Sequence, residues 1–247
     1  MSSIIMTQNV YDQPEFFNAY SRLRRSIEGL DGAAEWPAVR ALLPDLRGLT
    51  VIDLGCGFGW FCRWASEQGA AQVLGLDVSE KMLARARAAT SDTSISYEQA
   101  DLERLSLPEG GFDLAYSSLA FHYVADVARL FAEMRRSLAV GGHLVFSTEH
   151  PIYMAPTKPG WLVDGSGAKT WPVDRYLLEC PRTTDWLAKG VVEHHRTIGT
   201  TLNLLIRAGF VIEHVEEFCP TPEQIAARPE LAGELERPMF LIVRARV

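Results

Sequence analysis

The segment VIDLGCGFGWF at residues 51–61 reads as a buried strand, a turn with three glycines and the start of a helix. Such a turn presents backbone amides to a ligand at a helix N-terminus, and it is typical of α/β folds. The dinucleotide pattern is G-x-G-x-x-G, and here Gly55 and Gly57 match it while Trp60 replaces the last glycine. Because glycine turns vary, this mismatch alone does not decide which ligand the turn holds.

Strands and helices alternate between residues 49 and 149, which predicts a parallel sheet with helices on both faces. The predicted strands are LTVIDLG, QVLGLDV, SISYEQAD, FDLAYSSL and HLVFST. Two final strands, FVIEHVEEF and MFLIVRARV, have only the proline-containing segment 219–238 between them, so we expect an antiparallel pair at the sheet edge. The sequence therefore predicts an α/β fold with a seven-stranded, mostly parallel sheet and an antiparallel last strand.

Two further regions flank this predicted core. Helical patterns at 14–28 and 33–43 precede the first strand, and a third helix is predicted at 58–68. After the fifth strand, the segment 151–190 contains five prolines and three tryptophans, which indicates a cap over the ligand edge of the sheet or, alternatively, a packed surface loop. We predict a single domain with four parts: an N-terminal helical lid (1–45), a ligand-binding core (46–149), a substrate-cap insertion (150–197) and a C-terminal helix with a strand hairpin (198–247).

Composition excludes several classes of function. The 247 residues carry a net charge of -7 without a long run of Lys or Arg, which argues against a nucleic-acid partner. The chain contains no apolar run of about 18 residues and no signal-peptide pattern, so we expect a cytoplasmic protein without a membrane partner. Its four cysteines form no CxxC pair and are interpreted as reduced thiols. The oligomeric state is not indicated by the sequence.

Charge distinguishes the ligands that the glycine turn would accept. Asp53 lies two residues before Gly55, where its carboxylate would repel a pyrophosphate but attract the ammonium and sulfonium of S-adenosylmethionine. Asp77 ends the second predicted strand and would bind ribose hydroxyls, as in NAD sites. Asp101 ends the third and would accept from the adenine amine, with Leu102 and Met82 as apolar walls. The alternative for Asp53 is a cap on the amides of its own turn.

The chain resembles the class I S-adenosylmethionine-dependent methyltransferases, closest to the small-molecule branch called methyltransferase type 11. The matching segments are VIDLGCGFG, LGLDVSEKML, YEQADLERLSLPEGGFDLAYSSLAFHYV and LFAEMRRSLAVGGHLVFST. The resemblance implies a Rossmann-like fold, in which the glycine turn holds the methionine moiety, Ser117 borders the methyl group, and the N-terminal helices close over the cofactor through Tyr11, Tyr20 or Trp36. The predicted cofactor contacts are Asp53, Gly55, Cys56, Gly57, Gly59, Asp77, Val78, Met82, Asp101, Leu102, Ser117 and Tyr20.

Two motifs that are absent from the sequence narrow the range of reactions that the protein is expected to catalyse. Amine-directed nucleic-acid methyltransferases carry Asn or Asp-Pro-Pro-Tyr after the fourth strand, where this chain has SSLA at residues 117–120. Metal-dependent catechol-type enzymes place carboxylates there, and SSLAFHY at residues 117–123 supplies none, so we predict no metal.

The expected function is methyl transfer from S-adenosyl-L-methionine to an oxygen, nitrogen or carbon nucleophile of a small molecule by in-line displacement, with S-adenosyl-L-homocysteine as product. A histidine, with its usual pKa of about 6.5, would suit proton removal. The candidate catalytic residues are His122, Tyr123, His150 and His195, with His194 and Arg196 beside the last. The tryptophans of the cap favour an aromatic or apolar substrate. The alternatives are a non-catalytic S-adenosylmethionine-binding or regulatory protein and, less favoured by Asp53, a nicotinamide oxidoreductase.

Overall fold

A computed structural model describes residues 7–247 of the chain. The strands are β1 (Thr50–Leu54), β2 (Gln72–Asp77), β3 (Ile95–Gln99), β4 (Phe112–Ser118), β5 (Leu138–Glu149), β6 (Leu162–Val163), β7 (Lys169–Thr170), β8 (Pro181–Thr184), β9 (Val191–His194), β10 (Val211–Glu217) and β11 (Phe240–Arg246). The α-helices are α1 (Pro14–Tyr20), α2 (Arg24–Ile27), α3 (Trp36–Ala41), α4 (Trp60–Glu67), α5 (Glu80–Ala88), α6 (Val127–Ser137), α7 (Pro151–Met154), α8 (Ile198–Ala208) and α9 (Pro222–Ala227). Short 3₁₀ turns lie at Val10–Asp12, Gly29–Gly32, Leu102–Arg104, Phe121–Tyr123 and Pro229–Leu235.

The main sheet has seven strands in the order β10-β11-β5-β4-β1-β2-β3. Strands β1 to β5 pair in parallel, whereas β11 pairs antiparallel with both β5 and β10. The predicted Rossmann-like fold and the antiparallel last strand are therefore confirmed. In this order the carboxyl ends of β1, β2 and β3 lie side by side, which positions the predicted acids along one edge.

Apolar side chains from the helices cover both faces of the sheet. Helix α6 buries Val127, Leu130, Phe131 and Met134, which recur at helical spacing and pack with Ile52 and Phe146 of the sheet in one core cluster. Burial of each such side chain contributes about 1.5 to 3 kcal/mol relative to exposure. A second cluster on the other face contains Val51, Phe61, Cys62 and Val145. Apolar packing thus holds the strands on both faces of the sheet, and this packing fixes the positions of the carboxyl ends of the strands.

The N-terminal helices are shorter than the sequence predicted. The expected helix at 14–28 is two helices, α1 and α2, because Leu23 has extended backbone dihedrals (φ -63°, ψ 148°) and stops the helical hydrogen bonding. The expected helix at 33–43 begins at Trp36, so that Pro37 stands in its first turn, where a missing N–H costs nothing. Helix α4 starts at Trp60 rather than at residue 58, since Gly59 is left-handed (φ 70°).

The segment between β5 and α8 folds as helix α7 followed by the hairpins β6-β7 and β8-β9. The second hairpin joins the N-terminal segment: Gln8 donates to the Gly190 carbonyl at 2.8 Å and accepts from the Val192 amide at 2.9 Å. Val10 and Phe16 of the N-terminal segment also form one apolar cluster with Ala188 and Val191 of this hairpin. The N-terminal turns and the predicted cap therefore form one continuous layer.

Among the helices of residues 7–247, none combines the length and the apolar character that crossing a lipid bilayer requires.

Candidate active site

Acidic side chains stand at the ends of three adjacent strands. Asp77 is the last residue of β2, and its two carboxylate oxygens accept from the amides of Gly57 (2.8 Å) and Ser79 (2.9 Å). Burial raises the pKa of Asp77 to about 6, although these amides lower it. Asp101 lies two residues after β3 and accepts from the Thr7 hydroxyl at 2.6 Å and from the Glu103 amide at 3.0 Å. Both carboxylates keep lone pairs for further donors.

Asp53, in β1, is 2% exposed and accepts a hydrogen bond from the Cys62 thiol at 3.3 Å. Burial raises the pKa of Asp53 to about 7, and the charge of Asp77 adds to this effect. The alternative role as a cap of its own turn does not hold, because the amides of Gly55 and Cys56 donate to the Leu76 carbonyl. Asp53 is therefore a buried acid, and a cationic partner would stabilise its ionised form.

The three glycines of the turn have positive φ angles but different surroundings. A Cβ on Gly55 would lie 2.5 Å from the Ala120 side chain, and one on Gly59 would lie 2.2 Å from the Tyr97 hydroxyl. A Cβ on Gly57 would meet no atom of residues 7–247 within 4 Å. Gly55 and Gly59 are thus needed for packing of the protein itself, whereas Gly57 leaves open space in which a ligand would lie against the backbone.

Two adjoining cavities lie along this edge. Cavity A follows the ends of β2, β3 and β4, and cavity B lies beneath the glycine turn against the N-terminal helices. Cavity A is lined by, among others, Tyr11, Tyr20, Gly55, Gly57, Asp77, Val78, Met82, Asp101, Leu102, His122, Tyr123, Glu149 and Trp186. Cavity B is lined by, among others, Tyr20, Arg25, Glu35, Trp36, Asp53, Gly55, Cys56, Gly57 and Ser118. Both share Tyr20, Arg25 and the glycine turn, so one elongated ligand would span them.

Ten of the twelve predicted cofactor contacts line these cavities, and two do not. Gly59 lies against the Tyr97 side chain instead, since a Cβ there would meet the Tyr97 hydroxyl. Ser117 is fully buried and donates to the Leu54 carbonyl at 2.8 Å, while Ser118 lines both cavities. Successive strand residues point to opposite faces, so Ser118 rather than the predicted Ser117 faces the cavities. Of the two other aromatic candidates, Tyr11 lines cavity A and Trp36 lines cavity B.

Two of the four predicted catalytic residues line cavity A. His122 is 4% exposed, and its Nδ1 lies 3.4 Å from the Thr148 hydroxyl. Burial, with the charges of Arg196 and Arg25, lowers the pKa of His122 to about 3, so this imidazole is neutral at physiological pH. Burial raises the pKa of Tyr123 well above its usual value, and the phenol stays protonated.

The other two histidines lie elsewhere, and the structure does not support their predicted catalytic role. His150 is fully buried; its Nδ1 accepts from the Ile152 amide at 3.1 Å and its Nε2 lies 2.9 Å from a Glu217 carboxylate oxygen. It therefore caps helix α7. His195 bonds through Nε2 to the Tyr176 carbonyl at 2.8 Å and lines a separate groove beside Arg196.

Sequence reasoning missed several residues of the site. Glu149, the last residue of β5, lines cavity A. Its position at a strand end could have identified it, because the other acids of the site were predicted from the same kind of position. Glu193 reaches it from β9, and no local motif predicts this meeting of distant segments. His122, Glu149 and Glu193 bring ligand atoms within 4.8 Å of one another. The predicted absence of a metal considered residues 117–123 alone, did not include Glu149 or Glu193, and stays a prediction.

Comparisons with known proteins agree with this geometry. The family model described as "Methyltransferase domain" matches residues 52–146. An S-adenosylmethionine-dependent methyltransferase of Mesorhizobium loti has 73% sequence identity and a TM-score of 0.86, covering 89% of this chain and 100% of its own. A putative S-adenosylmethionine-dependent methyltransferase of Listeria monocytogenes has 39% identity and a TM-score of 0.79, covering 86% of this chain and 97% of its own. The chain belongs to the class I S-adenosylmethionine-dependent methyltransferases, and it is an enzyme whose cofactor is S-adenosylmethionine.

Relatives with curated names cover less of the chain. A malonyl-[acyl-carrier protein] O-methyltransferase of Erwinia pyrifoliae is 34% identical over 131 residues, which are 53% of this chain and 47% of that protein. A trans-aconitate 2-methyltransferase of Deinococcus radiodurans is 40% identical over 107 residues, 43% of this chain and 40% of its own. The match thus spans about half the length of these relatives or less. An uncharacterized protein of Haemophilus influenzae is 35% identical over 96% of both chains.

Proposed function

We propose that the enzyme transfers a methyl group to an oxygen, nitrogen or carbon nucleophile of a small molecule, with the cofactor across cavities A and B and the acceptor in cavity A beside His122. The observation that carries this assignment is the row of acids Asp53, Asp77 and Asp101, all at strand ends and all lining the two joined cavities. The open space at Gly57 lies where the two cavities meet.

Charge and shape assign an end of the cofactor to each cavity. In cavity B, Asp53 would bind the methionine ammonium, and Arg25 would bind the carboxylate. One nitrogen of the Arg25 guanidinium donates to the Glu35 carboxylate at 2.8 Å, and its other N–H groups remain available as donors. In cavity A, Asp77 would hold the ribose hydroxyls, and Asp101 the adenine amine, between Leu102 and Met82. This orientation places the sulfonium near the shared wall at Gly55 and Ser118.

The acceptor would enter cavity A on the side of His122, Tyr123 and Glu149, which are the polar groups furthest along the sheet from Asp101. S-adenosylmethionine supplies a methyl group already activated on a cationic sulfur. The protein has to align the nucleophile and exclude water, and such positioning can lower a barrier by up to about 7 to 11 kcal/mol. The neutral His122 suits hydrogen bonding to the acceptor better than proton removal, because a base with a pKa near 3 is weak.

Aromatic side chains from the lid and the cap would close the site. Trp186 of the β8-β9 hairpin packs edge-on against Phe16 (5.5 Å between centroids) and Tyr20 (6.4 Å). Tyr11 packs edge-on against Tyr123 at 5.9 Å. We therefore propose that the N-terminal helices and the 150–197 segment act together as the cover of cavity A. An aromatic or apolar acceptor fits these walls.

The test is transfer of a labelled methyl group from S-adenosylmethionine into a metabolite extract, followed by identification of the product. Wild-type enzyme should label one compound or compound class, and Asp77→Asn should reduce the labelling. Asp92→Asn is the matched control, because Asp92 is exposed and lies outside both cavities. Absence of any labelled product while S-adenosylhomocysteine still binds would instead favour a non-catalytic binder.

A further inference from the structure

Three side chains from distant parts of the chain meet between cavity A, which His122 and Glu149 line, and an adjoining cap cavity, which Glu149 and Glu193 line. His122 comes from the 3₁₀ turn after β4, Glu149 from the end of β5, and Glu193 from β9 of the cap. Their ligand atoms all lie within 4.8 Å of one another. His122 and Glu193 are only 4% and 3% exposed. We call this set the His-Glu-Glu cluster.

The two carboxylates of the cluster have no direct partner in the described chain. Within residues 7–247, neither the Glu149 nor the Glu193 carboxylate takes part in a hydrogen bond or an ion pair. Glu193 is buried and Glu149 is half-buried, and one oxygen of each lies within 4.8 Å of the other. Two carboxylates so close together repel each other unless a cation or a proton joins them.

The nearest arginines are engaged with other groups. Arg25 pairs with Glu35 at 2.8 Å, and Arg237 pairs with Glu234 at 2.6 Å while lying over the rings of Tyr153 and Trp171. Arg196 donates to the carbonyl of Ala125 at 2.9 Å. The charges of Arg25 and Arg237 act on Glu149 without a direct hydrogen bond or ion pair to it.

The third member of the cluster has a ring nitrogen that is only weakly engaged. Among the described residues, the hydrogen bonds of His122 through Nδ1 are long, 3.4 Å to Thr148 and 3.5 Å to the Glu149 amide. A neutral imidazole nitrogen with two carboxylates is a donor set that binds Mn²⁺, Fe²⁺, Co²⁺ or Zn²⁺, whereas Mg²⁺ favours oxygen ligands and water.

We propose that His122, Glu149 and Glu193 bind a divalent first-row transition-metal ion. Three protein ligands leave coordination positions open, as catalytic metal sites do. Glu149 lines both cavity A and the cap cavity of Trp161 and Trp171, so the site would lie beside both cavities. If the proposed function is right, an acceptor oxygen bound there would be held and made more acidic by the ion. Binding of the ion itself does not depend on that function.

The experiment uses full-length, tag-free protein that has been treated with a chelator and then titrated with Mn²⁺ by calorimetry. Mn²⁺ is the primary probe because Zn²⁺ also binds thiols, and Cys219 is exposed. We expect one Mn²⁺ per chain, with Mg²⁺ at least tenfold weaker. Glu149→Gln, Glu193→Gln and His122→Gln should each weaken Mn²⁺ binding at least tenfold.

Glu217→Gln is the matched control, because Glu217 also pairs with a histidine but lies on β10, outside the cluster. This variant should bind Mn²⁺ as the wild type does. Wild-type protein that binds no Mn²⁺, or three cluster variants with unchanged affinity, would overturn the proposal. If a variant fails to fold, electron paramagnetic resonance of wild-type protein with Mn²⁺ decides between one bound ion and none.

A parallel titration with S-adenosylhomocysteine separates this proposal from the proposed function. Retained S-adenosylhomocysteine binding without Mn²⁺ binding rejects the metal site alone and leaves the two carboxyl groups to share a proton. If wild-type protein does not bind S-adenosylhomocysteine, the cofactor assignment is rejected, whether or not the protein binds Mn²⁺.

Discussion

The backbone amide of Gly57 donates a hydrogen bond of 2.8 Å to Oδ2 of Asp77, which ties the glycine turn after β1 to the end of β2. The amide of Ser79 holds the other oxygen at 2.9 Å. These two bonds fix the carboxylate in the wall of cavity A, next to Gly57, which lines both cavities. The same residue thus shapes the turn and lines cavity A.

Replacing Asp77 with Asn should weaken S-adenosylhomocysteine binding by about 1.5 to 3 kcal/mol, the usual range for a hydrogen bond to a charged group. The physical reason is the loss of one acceptor oxygen for the ribose hydroxyls and of the bond from Gly57. Isothermal titration measures the change, with Asp92→Asn as control. Equal affinities of wild type and Asp77→Asn would mean that the ribose lies elsewhere.

Gly57 and Gly59 should respond differently to alanine. Both have positive φ, which costs an L-residue about 1 to 2 kcal/mol of folding free energy. In Gly59→Ala the new methyl also meets the Tyr97 hydroxyl, so the free energy of unfolding should fall further, as denaturant titration would show. In Gly57→Ala the methyl enters the cavity, and affinity for S-adenosylhomocysteine should drop at least tenfold. The reverse pattern would contradict the assignment of the open space to the cofactor.

The affinity for S-adenosylhomocysteine should depend on pH through Asp53. Burial raises the pKa of Asp53 to about 7, and in the proposed assignment the ionised form would bind the ligand ammonium. Below this pKa, binding must first remove a proton, so affinity should rise with pH up to about 7 and then level off. In Asp53→Asn this dependence should disappear and the affinity at pH 8 should be lower. Asp77, with a pKa of about 6, would retain a weaker dependence at lower pH. A flat profile in the wild type would argue against Asp53 as the ammonium site.

The cover of cavity A should become more rigid when the cofactor product binds. Trp186 and Tyr20 both line the cavity and contact each other. Hydrogen exchange should therefore slow in α1 and in the β8-β9 hairpin when S-adenosylhomocysteine is added. The exposed hairpin β6-β7 is the internal control and should be unaffected, because neither of its strands lines cavity A or B. Slower exchange in all of these elements alike would indicate general stabilisation rather than closure.

The core of the fold and the cofactor edge could be predicted from sequence because their signals are local. A strand, a glycine turn and an acid at a strand end all fall within about ten residues in such motifs, and the alternation of strands and helices indicates parallel strands with right-handed crossovers. The boundaries of the N-terminal helices were less accurate, because no glycine or proline marks the break at Leu23.

The acceptor side could not be predicted in the same way. His150 comes directly after Glu149, the last residue of β5, but its ring bonds to the Ile152 amide and to Glu217, so its sequence position misled the assignment. Glu193 enters the site from a hairpin whose position depends on the contacts of Gln8 and on the apolar cluster around Phe16. Such long-range packing leaves no periodic pattern in the sequence.

The central claim, that one S-adenosylmethionine molecule spans cavities A and B, is tested most directly by a crystal structure of the enzyme with S-adenosylhomocysteine. The account predicts ribose hydroxyls at the Asp77 carboxylate, adenine between Leu102 and Met82 near Asp101, and the amino-acid end beside Asp53 and Arg25. A ligand bound in the opposite direction, or outside these two cavities, would contradict it.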